Sequence, residues 1–177
     1  MGDTATLRLV RSEQEIEADV CRLAREIARD YRGKEVVLVG ALTGAFVFMA
    51  DLVRALSSEG LDVMVSFVGI ETYDNQRQSS GNPRITMDLK VDVTGLHVLV
   101  CDELRDKGHT LETLMEMLRV RGAASVKSVI YAIKEGCNEV GREPDYVGCT
   151  LPAVWVVGYG LDNLGWGRGH RRIYAVI

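Results

Sequence analysis

Long apolar runs are missing from this sequence of 177 residues. A transmembrane helix needs about 18–20 consecutive apolar residues, and no stretch reaches that length. The N-terminus also lacks the basic region followed by an apolar region that marks a signal peptide. We therefore expect a cytoplasmic protein without a membrane partner.

Paired cysteines are missing as well. The four cysteines, at positions 21, 101, 137 and 149, are scattered, and none belongs to a C-x-x-C pair. Three of them lie in apolar or strand-like segments. Buried, reduced thiols are therefore expected rather than disulfides or zinc ligands, as in a reducing compartment such as the cytosol.

The chain has no excess of positive charge. It has 21 Lys and Arg against 25 Asp and Glu, which gives a formal net charge of -4. A nucleic-acid partner is not expected, because contacts along a phosphate backbone need clustered Lys and Arg. The locally basic runs at 119–121 and 168–172 indicate either solvated surface or a site for a small phosphate.

The remaining composition is that of an ordinary globular protein, 47% hydrophobic and 26% charged, with no repeat, low-complexity tract or linker. We expect one domain with a substantial core. The apolar periodicity predicts helices at 13–31, 45–56 and 111–121, strands at 36–39, 62–70, 98–101 and 126–133, and shorter apolar segments at 146–149 and 154–157. This alternation indicates an α/β fold with a mainly parallel sheet flanked by helices.

Three segments carry sharper local signals. Ser12 and Glu15 form a capping-box pattern ahead of the first helix. Residues 40–44, G-A-L-T-G, predict a tight turn before the second helix. Residues 71–84 are almost wholly polar and exceed the roughly 4–6 residues of an ordinary connection, which indicates a functional lid or mobile loop, or alternatively an exposed hairpin tip.

The most informative feature is an acidic strand end beside a glycine turn. The apolar run 98–101 stops at Asp102 and Glu103, and Asp106, Gly108 and Thr110 precede a helical stretch. A glycine turn that opens a helix presents backbone amides to an anion, and carboxylates suit a metal ion or ribose hydroxyls. The plainer interpretation is a solvated loop in which Asp106 caps the helix.

Several motifs follow predicted strands and are expected to share one edge of the sheet. They are Thr43-Gly44, residues 102–110, Lys134 and the segment from Gly158 onward. In open parallel sheets, ligands bind beyond the carboxyl ends of the strands. The convergence of these motifs therefore favours a ligand site there more strongly than any one of them does.

The sequence V-L-V-C-D-E-L-R-D-K-G-H-T-L at 98–111 resembles the phosphoribosyl pyrophosphate motif of type I phosphoribosyltransferases. Further segments are similar to those of the hypoxanthine-guanine phosphoribosyltransferase family, in the family's order: 39–52, 79–81, 144–148 and 156–162. The resemblance implies the type I phosphoribosyltransferase fold. Its core would span about 34–150, its small hood the N-terminal residues and about 151–177, and its flexible lid about 71–84.

The resemblance also implies roles for the residues at the acidic strand end. Asp106 matches the aspartate near the purine imidazole nitrogen, the candidate general acid or base. Asp102 and Glu103 match the acidic pair near the ribose hydroxyls and a magnesium ion. These three carboxylates would bind phosphoribosyl pyrophosphate together with the 5′-phosphate loop, which comprises Lys107, Gly108, His109 and Thr110.

Other matched positions would complete the site. Lys134 would contact the purine 6-oxo group, Trp155 would stack on the base, and Val156 would offer backbone groups to its edge. Asp162 would lie in the purine region and approach a second magnesium ion. Pyrophosphate would contact Leu42, Thr43, Gly44 and Arg168, and the lid residues would be Tyr73, Ser79 and Ser80.

Plainer interpretations of three of these residues stay open from the residues alone. Trp155 lies in an apolar run and could belong to the core, since an aromatic residue in such a run is more often buried. Lys134 could simply be solvated at a strand end, and Asp162 could be a turn residue.

Departures from the family pattern cluster in one motif. Lys107 stands where the family usually has threonine, Thr43 stands where it often has lysine, and Asp102-Glu103 reverses the commoner order. Arg105 replaces an aliphatic residue, and if it faced the core it would need a charged partner.

The resemblance implies a purine salvage enzyme that uses Mg²⁺. It would transfer the 5-phosphoribosyl group from phosphoribosyl pyrophosphate to hypoxanthine or guanine, with xanthine as a third candidate, and release pyrophosphate. Its partners would be these small molecules, and its assembly a homodimer or homotetramer. The alternative is a non-catalytic relative that binds nucleotide and acts as a regulator.

Overall fold

The computed structural model describes residues 6–72, 83–136, 141 and 143–177. Its elements in chain order are β1 Leu7–Arg11, α1 Glu13–Asp30, β2 Val36–Leu42, α2 Phe46–Ser58, β3 Met64–Thr72, β4 Pro83–Met87, β5 His97–Arg105, α3 His109–Val120, β6 Ser125–Lys134, β7 Tyr146–Leu151, β8 Val156–Val157 and β9 Ile173–Val176. None of the helices in these ranges is long and apolar enough to cross a membrane.

Six strands form the main sheet in the order β4-β3-β2-β5-β6-β7. All are parallel except β4, which pairs antiparallel with β3 at the edge. The predicted mainly parallel sheet is thus confirmed. The central strand β2 is buried along almost its whole length, because helices cover both faces of the sheet.

Two apolar layers hold the helices against this sheet. Alternate residues of β2 point to opposite faces: Leu38 packs in the layer beneath α1 and α2, whereas Val37 and Val39 pack in the layer beneath α3. The strands β5 and β6 likewise contribute to both layers. The carboxyl ends of the parallel strands are left at one open edge, where a ligand can approach.

The predicted capping box at the start of α1 is confirmed. The Ser12 amide donates to Glu15 Oε2 at 2.9 Å, and the Glu15 amide donates to Ser12 Oγ at 3.3 Å. The apolar face that follows, including Ile16, Leu23 and Ile27, is buried against the sheet. The helix ends at Asp30, one residue before the predicted end.

The predicted turn at 40–44 is wrong in its first three residues. Gly40 to Leu42 continue β2 and pair with Phe67, Val68 and Gly69 of β3. The turn comprises Thr43, Gly44 and Ala45, and α2 starts at Phe46. Gly40 is explained by packing and not by a turn. A β-carbon at this position would overlap the side chains of Met49 and Phe67.

The boundaries of the predicted polar loop 71–84 are also wrong. Glu71 and Thr72 extend β3, and Pro83 and Arg84 begin β4 and pair with them. The residues that extend the two strands into the predicted loop are polar or proline, so apolar periodicity does not reveal them. The predicted lid residues Tyr73, Ser79 and Ser80 lie outside the described residues.

A second, antiparallel sheet of order β1-β9-β8 joins the two ends of the chain. Leu7 pairs with Val176, and Val157 pairs with Tyr174. Sequence analysis missed β1 and β9, because each is only 5 or 4 residues long and its pairing partner is far away in the chain. Below, "the hood" denotes this sheet with the loop between β8 and β9.

Three of the cysteines lie in the described part of the chain and are free thiols. Cys101 is buried, whereas Cys21 and Cys149 are half-buried. Burial raises the pKa of Cys149 to about 11. Cys101 and Cys149 are thus neutral near pH 7, as expected for structural thiols, and Cys137 lies outside the described residues.

An ion pair ties the hood to the core. The Arg11 guanidinium at the end of β1 donates to Asp19 Oδ2 on α1 at 2.7 Å, and the Tyr131 hydroxyl of β6 donates to the same carboxylate oxygen at 3.2 Å. Asp19 itself is only 8% exposed. One buried carboxylate therefore connects β1, α1 and the central sheet.

Asp19→Ala should lower the free energy of unfolding by about 3 kcal/mol, because Arg11 loses its buried partner and keeps only the more exposed Glu15. Urea denaturation at neutral pH measures this loss. Glu116→Gln is the matched control, since its pair with Arg119 is exposed and should contribute no more than about 1 kcal/mol. Equal losses in the two variants would contradict the role of Asp19.

Candidate active site

The open edge of the sheet contains a crevice between β2 and β5. From β2 the chain continues to β3 on one side, whereas β5 joins β2 on the other side. Such a change of direction separates the loops that follow the two strands and leaves room for a ligand between them. The segments that flank this crevice are Thr43-Gly44 after β2 and residues 106–108 after β5.

Three backbone segments meet at one side of this crevice. A β-carbon at Gly44 would overlap the Glu103 carboxylate, and a β-carbon at Gly160 would overlap the Gly44 carbonyl oxygen. Gly160 also has φ +97, a conformation that favours glycine. Glycine at both positions thus allows the β2 turn, the acidic end of β5 and the hood loop to touch.

The acidic pair at the end of β5 is electrostatically unfavourable by itself. The backbone amide of Glu103 donates to Asp102 Oδ1 at 2.9 Å, which fixes the Asp102 carboxylate against the backbone of its neighbour. Burial, and then the charge of Glu103, raise the pKa of Asp102 well above its ordinary value. Among the described residues, Glu103 Oε2 is buried without a hydrogen-bond partner. These oxygens can accept a hard cation such as Mg²⁺.

The turn after β5 forms a small cavity at the start of α3. Gly108 has φ +95, which bends the chain so that His109 begins the helix. The cavity has a volume of about 180 Å³. Its lining residues are Asp102, Leu104, Arg105, Asp106, Lys107, Gly108, His109, Thr110, Leu111 and Ile130. The N-terminal amides of a helix and nearby cations favour an anion in such a cavity.

Arg105 faces the interior, where a guanidinium needs a charged partner. The residue is 4% exposed, and its Nη1 lies 3.9 Å from Glu143 Oε2. The charged partner that a core-facing Arg105 would need is therefore present. The guanidinium adds positive charge beneath the phosphate-sized cavity, where the family pattern has an aliphatic side chain.

Asp106, Lys134 and Trp155 come together from three different loops. Lys134 Nζ at the end of β6 lies 4.0 Å from Asp106 Oδ2 and 5.8 Å from the centre of a Trp155 ring. Trp155 is 52% exposed, so the interpretation of it as a core residue is wrong. The Lys134 side chain is 12% exposed, so it is not simply solvated either.

The hood loop holds Asp162 and Arg168 as an ion pair. Arg168 Nη2 lies 2.7 Å from Asp162 Oδ1, and Arg168 Nη1 donates to the Gly160 carbonyl oxygen at 2.6 Å. The Gly165 amide donates to Asp162 Oδ2 at 2.6 Å, so Asp162 also stabilises the turn. Val156 lies in β8, next to Trp155, and pairs with Ala175 of β9.

The predicted metal ligands do not form one set of three side chains. Asp102 and Glu103 are neighbours, whereas Asp162 is paired with Arg168. Across the described ranges, no group of three or more His, Cys, Asp or Glu side chains lies close enough to hold a metal ion. A cation at this site would need oxygens from elsewhere, such as water or a substrate.

Sequence analysis missed two residues that shape the site, Tyr159 and Asp51. The Tyr159 hydroxyl donates to Asp51 Oδ2 at 2.9 Å and thereby connects the hood loop with α2. A lone acidic residue in the otherwise apolar stretch 46–52 was the available signal, because a charge on a mostly buried helix usually has a partner.

Asp102→Asn should stabilise the ligand-free protein. The raised pKa means that Asp102 binds more protons in the folded than in the unfolded state. The free energy of unfolding of the wild type therefore falls as the pH rises above 3.8, the ordinary pKa of an aspartate. The variant should have a higher melting temperature than the wild type at about pH 8, and the gain should disappear towards about pH 4.

Asp92→Asn is the control with opposite sign. Hydrogen bonds from Thr94 lower the pKa of Asp92, so this carboxylate contributes stability above pH 3.8 and loses it as the pH falls. The variant should be slightly less stable than the wild type at about pH 8. An Asp102→Asn protein that is also destabilised there would contradict the assignment of Asp102.

The fold and motifs match a known family. The phosphoribosyl transferase domain matches residues 10–164 of the chain. A hypoxanthine-guanine phosphoribosyltransferase of Dictyostelium discoideum is 39% identical over 155 residues, which cover 87% of this chain and 86% of that protein. Its counterpart in Aquifex aeolicus is 36% identical over 171 residues, or 96% and 94% of the two chains.

Solved structures agree with these matches. A hypoxanthine phosphoribosyl transferase of Trypanosoma cruzi has a TM-score of 0.91 and 31% identity, and covers 100% of this chain and 94% of its own. A Staphylococcus aureus hypoxanthine phosphoribosyltransferase has a TM-score of 0.89 and 28% identity, with coverages of 96% and 91%. The expected type I phosphoribosyltransferase fold is confirmed, and the chain belongs to the hypoxanthine-guanine phosphoribosyltransferase family.

Proposed function

We propose that this protein transfers the 5-phosphoribosyl group of phosphoribosyl pyrophosphate to hypoxanthine or guanine, in purine salvage. The products are IMP or GMP and pyrophosphate. The observation that carries the proposal is the grouping of Asp106, Lys134 and Trp155 beside the cavity at the start of α3. A flat base and a phosphate group can bind there side by side.

Lys134 and Trp155 select a 6-oxopurine. The exposed face of Trp155 stacks on a planar heterocycle, which gives affinity without demanding one particular base. The Lys134 ammonium donates hydrogen bonds and accepts none, so it binds a 6-oxo group but not the 6-amino group of adenine. Val156, next to Trp155, offers backbone groups to the base edge and leaves xanthine as a third base to test.

Asp106 is placed to handle a proton of the base. Its carboxylate lies 4.0 Å from Lys134 Nζ, so a base that binds Lys134 through its 6-oxo group brings its imidazole edge towards Asp106. A carboxylate within hydrogen-bond reach of a ring nitrogen accepts its proton as the new glycosidic bond forms. Lys107, Gly108, His109 and Thr110 bind the 5′-phosphate in the cavity.

Asp102 and Glu103 fit a magnesium site. The unpartnered Glu103 Oε2 and the raised pKa of Asp102 both indicate oxygens that gain from a divalent cation, and Asp162 is a third candidate on the hood side. The ion's contribution when bound is to neutralise charge on the pyrophosphate group. The two carboxylates of β5 also lie where the ribose hydroxyls can donate to them.

Leu42, Thr43, Gly44 and Arg168 bind the pyrophosphate group. Gly44 touches the hood loop that carries Arg168, so backbone amides of the β2 turn and a guanidinium face the same leaving group. Positive charge that develops on the ribose as pyrophosphate leaves is stabilised by Asp102 and Glu103. A lid between β3 and β4, with Tyr73, Ser79 and Ser80, would exclude water from the reacting centre.

A homodimer or homotetramer is the proposed assembly. The support is the family relationship alone, within which the oligomeric state of the Trypanosoma cruzi protein has been examined. A non-catalytic nucleotide-binding regulator is the second candidate function. The departures Thr43, Arg105 and Lys107, which change charges around the phosphate sites, are the observation that favours it.

Purified protein should form nucleotide from hypoxanthine and guanine, but not from adenine, in the presence of phosphoribosyl pyrophosphate and Mg²⁺. Asp106→Asn should lower kcat by about 10²–10⁴-fold while IMP binding, measured by calorimetry, stays within about twofold. Asp88→Asn, at an exposed pair with Arg121, is the matched control and should leave kcat unchanged. Binding of nucleotide without turnover of any base would favour the regulator.

Lys134→Gln should weaken recognition of the base selectively. Loss of a charged hydrogen bond to the 6-oxo group should raise KM for hypoxanthine by about 10–100-fold, with little change in KM for phosphoribosyl pyrophosphate. Steady-state kinetics with each substrate varied in turn measures both values. A variant in which only the KM for phosphoribosyl pyrophosphate rises would place Lys134 outside the purine site.

A further inference from the structure

We propose that the hydrogen bond between Tyr159 and Asp51 is a positioning device, which holds Arg168 against the Thr43-Gly44 turn and so sets the affinity for the pyrophosphate group. Neither side chain takes part in the chemistry. The inference rests on the proposed phosphoribosyl transfer, and it assigns a role to two residues outside the predicted site. Three features of Tyr159 support this role: its backbone conformation, the burial of its side chain, and the connection that this side chain makes between the hood loop and α2.

The backbone of Tyr159 is held in an unfavourable conformation. Its φ of 53° lies in the left-handed region, which is unfavourable for a residue with a β-carbon. The flanking residues Gly158 and Gly160 also have positive φ, at 107° and 97°, but glycine adopts such values freely. The contacts of the Tyr159 side chain must stabilise this conformation.

The Tyr159 side chain is buried and its hydroxyl has one defined acceptor. The residue is 3% exposed, and its ring packs edge-on against Tyr131 with centroids 4.9 Å apart. The hydroxyl donates to Asp51 Oδ2 at 2.9 Å. Burial, and then the charge of Asp51, raise the pKa of Tyr159, so the hydroxyl remains a donor across the working pH range.

On the hood side, this residue is linked directly to Arg168. The Gly160 amide donates to the Arg168 carbonyl oxygen at 3.0 Å, and Arg168 Nη1 donates back to the Gly160 carbonyl oxygen at 2.6 Å. The Tyr159 amide donates to the His170 carbonyl oxygen at 2.9 Å. A shift of Tyr159 would therefore carry the backbone and the guanidinium of Arg168 with it.

On the other side, Asp51 connects Tyr159 to the helix that follows the Thr43-Gly44 turn. Asp51 lies in α2, which starts at Phe46 immediately after Thr43 and Gly44. Its carboxylate also pairs with Arg54 on the same helix. Gly160 touches the Gly44 carbonyl oxygen, so the hood loop meets this turn directly and, through Tyr159, the helix behind it. The Tyr159–Asp51 hydrogen bond and the Gly160–Gly44 contact thus fix the hood loop in position and orientation.

The chain offers a matched control in Tyr146. Its hydroxyl donates to Asp30 Oδ2, also at 2.9 Å, but this bond joins β7 to the end of α1, away from the hood loop. Tyr146→Phe removes the same chemical group from the same kind of acceptor. It should reduce stability to a similar extent without moving Arg168.

The test compares pyrophosphate binding in Tyr159→Phe, Tyr146→Phe and the wild type. Calorimetry with pyrophosphate and Mg²⁺ gives Kd, and pyrophosphorolysis of IMP gives KM for pyrophosphate and kcat. We expect Tyr159→Phe to raise Kd and KM for pyrophosphate about five- to tenfold, with kcat and the Kd of IMP within about twofold. Tyr146→Phe should leave all four values unchanged.

Substitutions of Asp51 separate positioning from general destabilisation. Asp51→Asn keeps an oxygen acceptor for the hydroxyl and should retain wild-type pyrophosphate affinity, whereas Asp51→Ala should match Tyr159→Phe. The double variant Tyr159→Phe/Asp51→Ala should be no weaker than either single variant, because both remove one interaction.

The outcomes distinguish this inference from the proposed function. Wild-type pyrophosphate affinity in Tyr159→Phe, or an equal loss in Tyr146→Phe, would overturn the positioning role even in a fully active enzyme. A wild type that turns over no base contradicts the proposed function instead. The calorimetric comparison still decides the role of Tyr159 in that case, since it needs no turnover.

Discussion

The close approach of the Gly44 backbone, the Glu103 side chain and the Gly160 backbone is the constraint on which the site depends. A β-carbon at Gly160 would overlap the Gly44 carbonyl oxygen, and one at Gly44 would displace the Glu103 carboxylate, so glycine at both positions allows the β2 turn, the acidic end of β5 and the hood loop to meet in this arrangement. The contact joins the pyrophosphate turn to the loop that carries Arg168. In the proposed function, this contact brings the residues of the main sheet and those of the hood into one binding site.

The acidic pair shows why such a site is less stable than its surroundings. Asp102 and Glu103 are held together at the end of a buried strand, and the pKa of Asp102 rises because its charged form is unfavourable there. A protein under selection for stability alone would replace one of these carboxylates. Their retention makes sense if a cation and the ribose supply the missing interactions during the reaction.

Local signals in the sequence predicted the parts of the structure that depend on nearby residues. The capping box of Ser12, the apolar runs of the main-sheet strands and the glycine turn at Gly108 are of this kind, because each is determined by residues close in sequence. The hood sheet, the extension of β2 through Gly40, and the Tyr159–Asp51 bond could not be predicted. They depend on pairs of segments that are distant in the chain, and on side-chain directions set by the final packing.

Ion pairs inside the site also explain how it can be strongly charged and still fold. Arg168 is paired with Asp162, and Lys134 lies near Asp106, so each cation has a carboxylate beside it. In the proposed function, a pyrophosphate group would replace Asp162 as the partner of Arg168, and it would gain only the difference between the two interactions. Asp162 is then available to a cation, so the binding of metal and of pyrophosphate should favour each other.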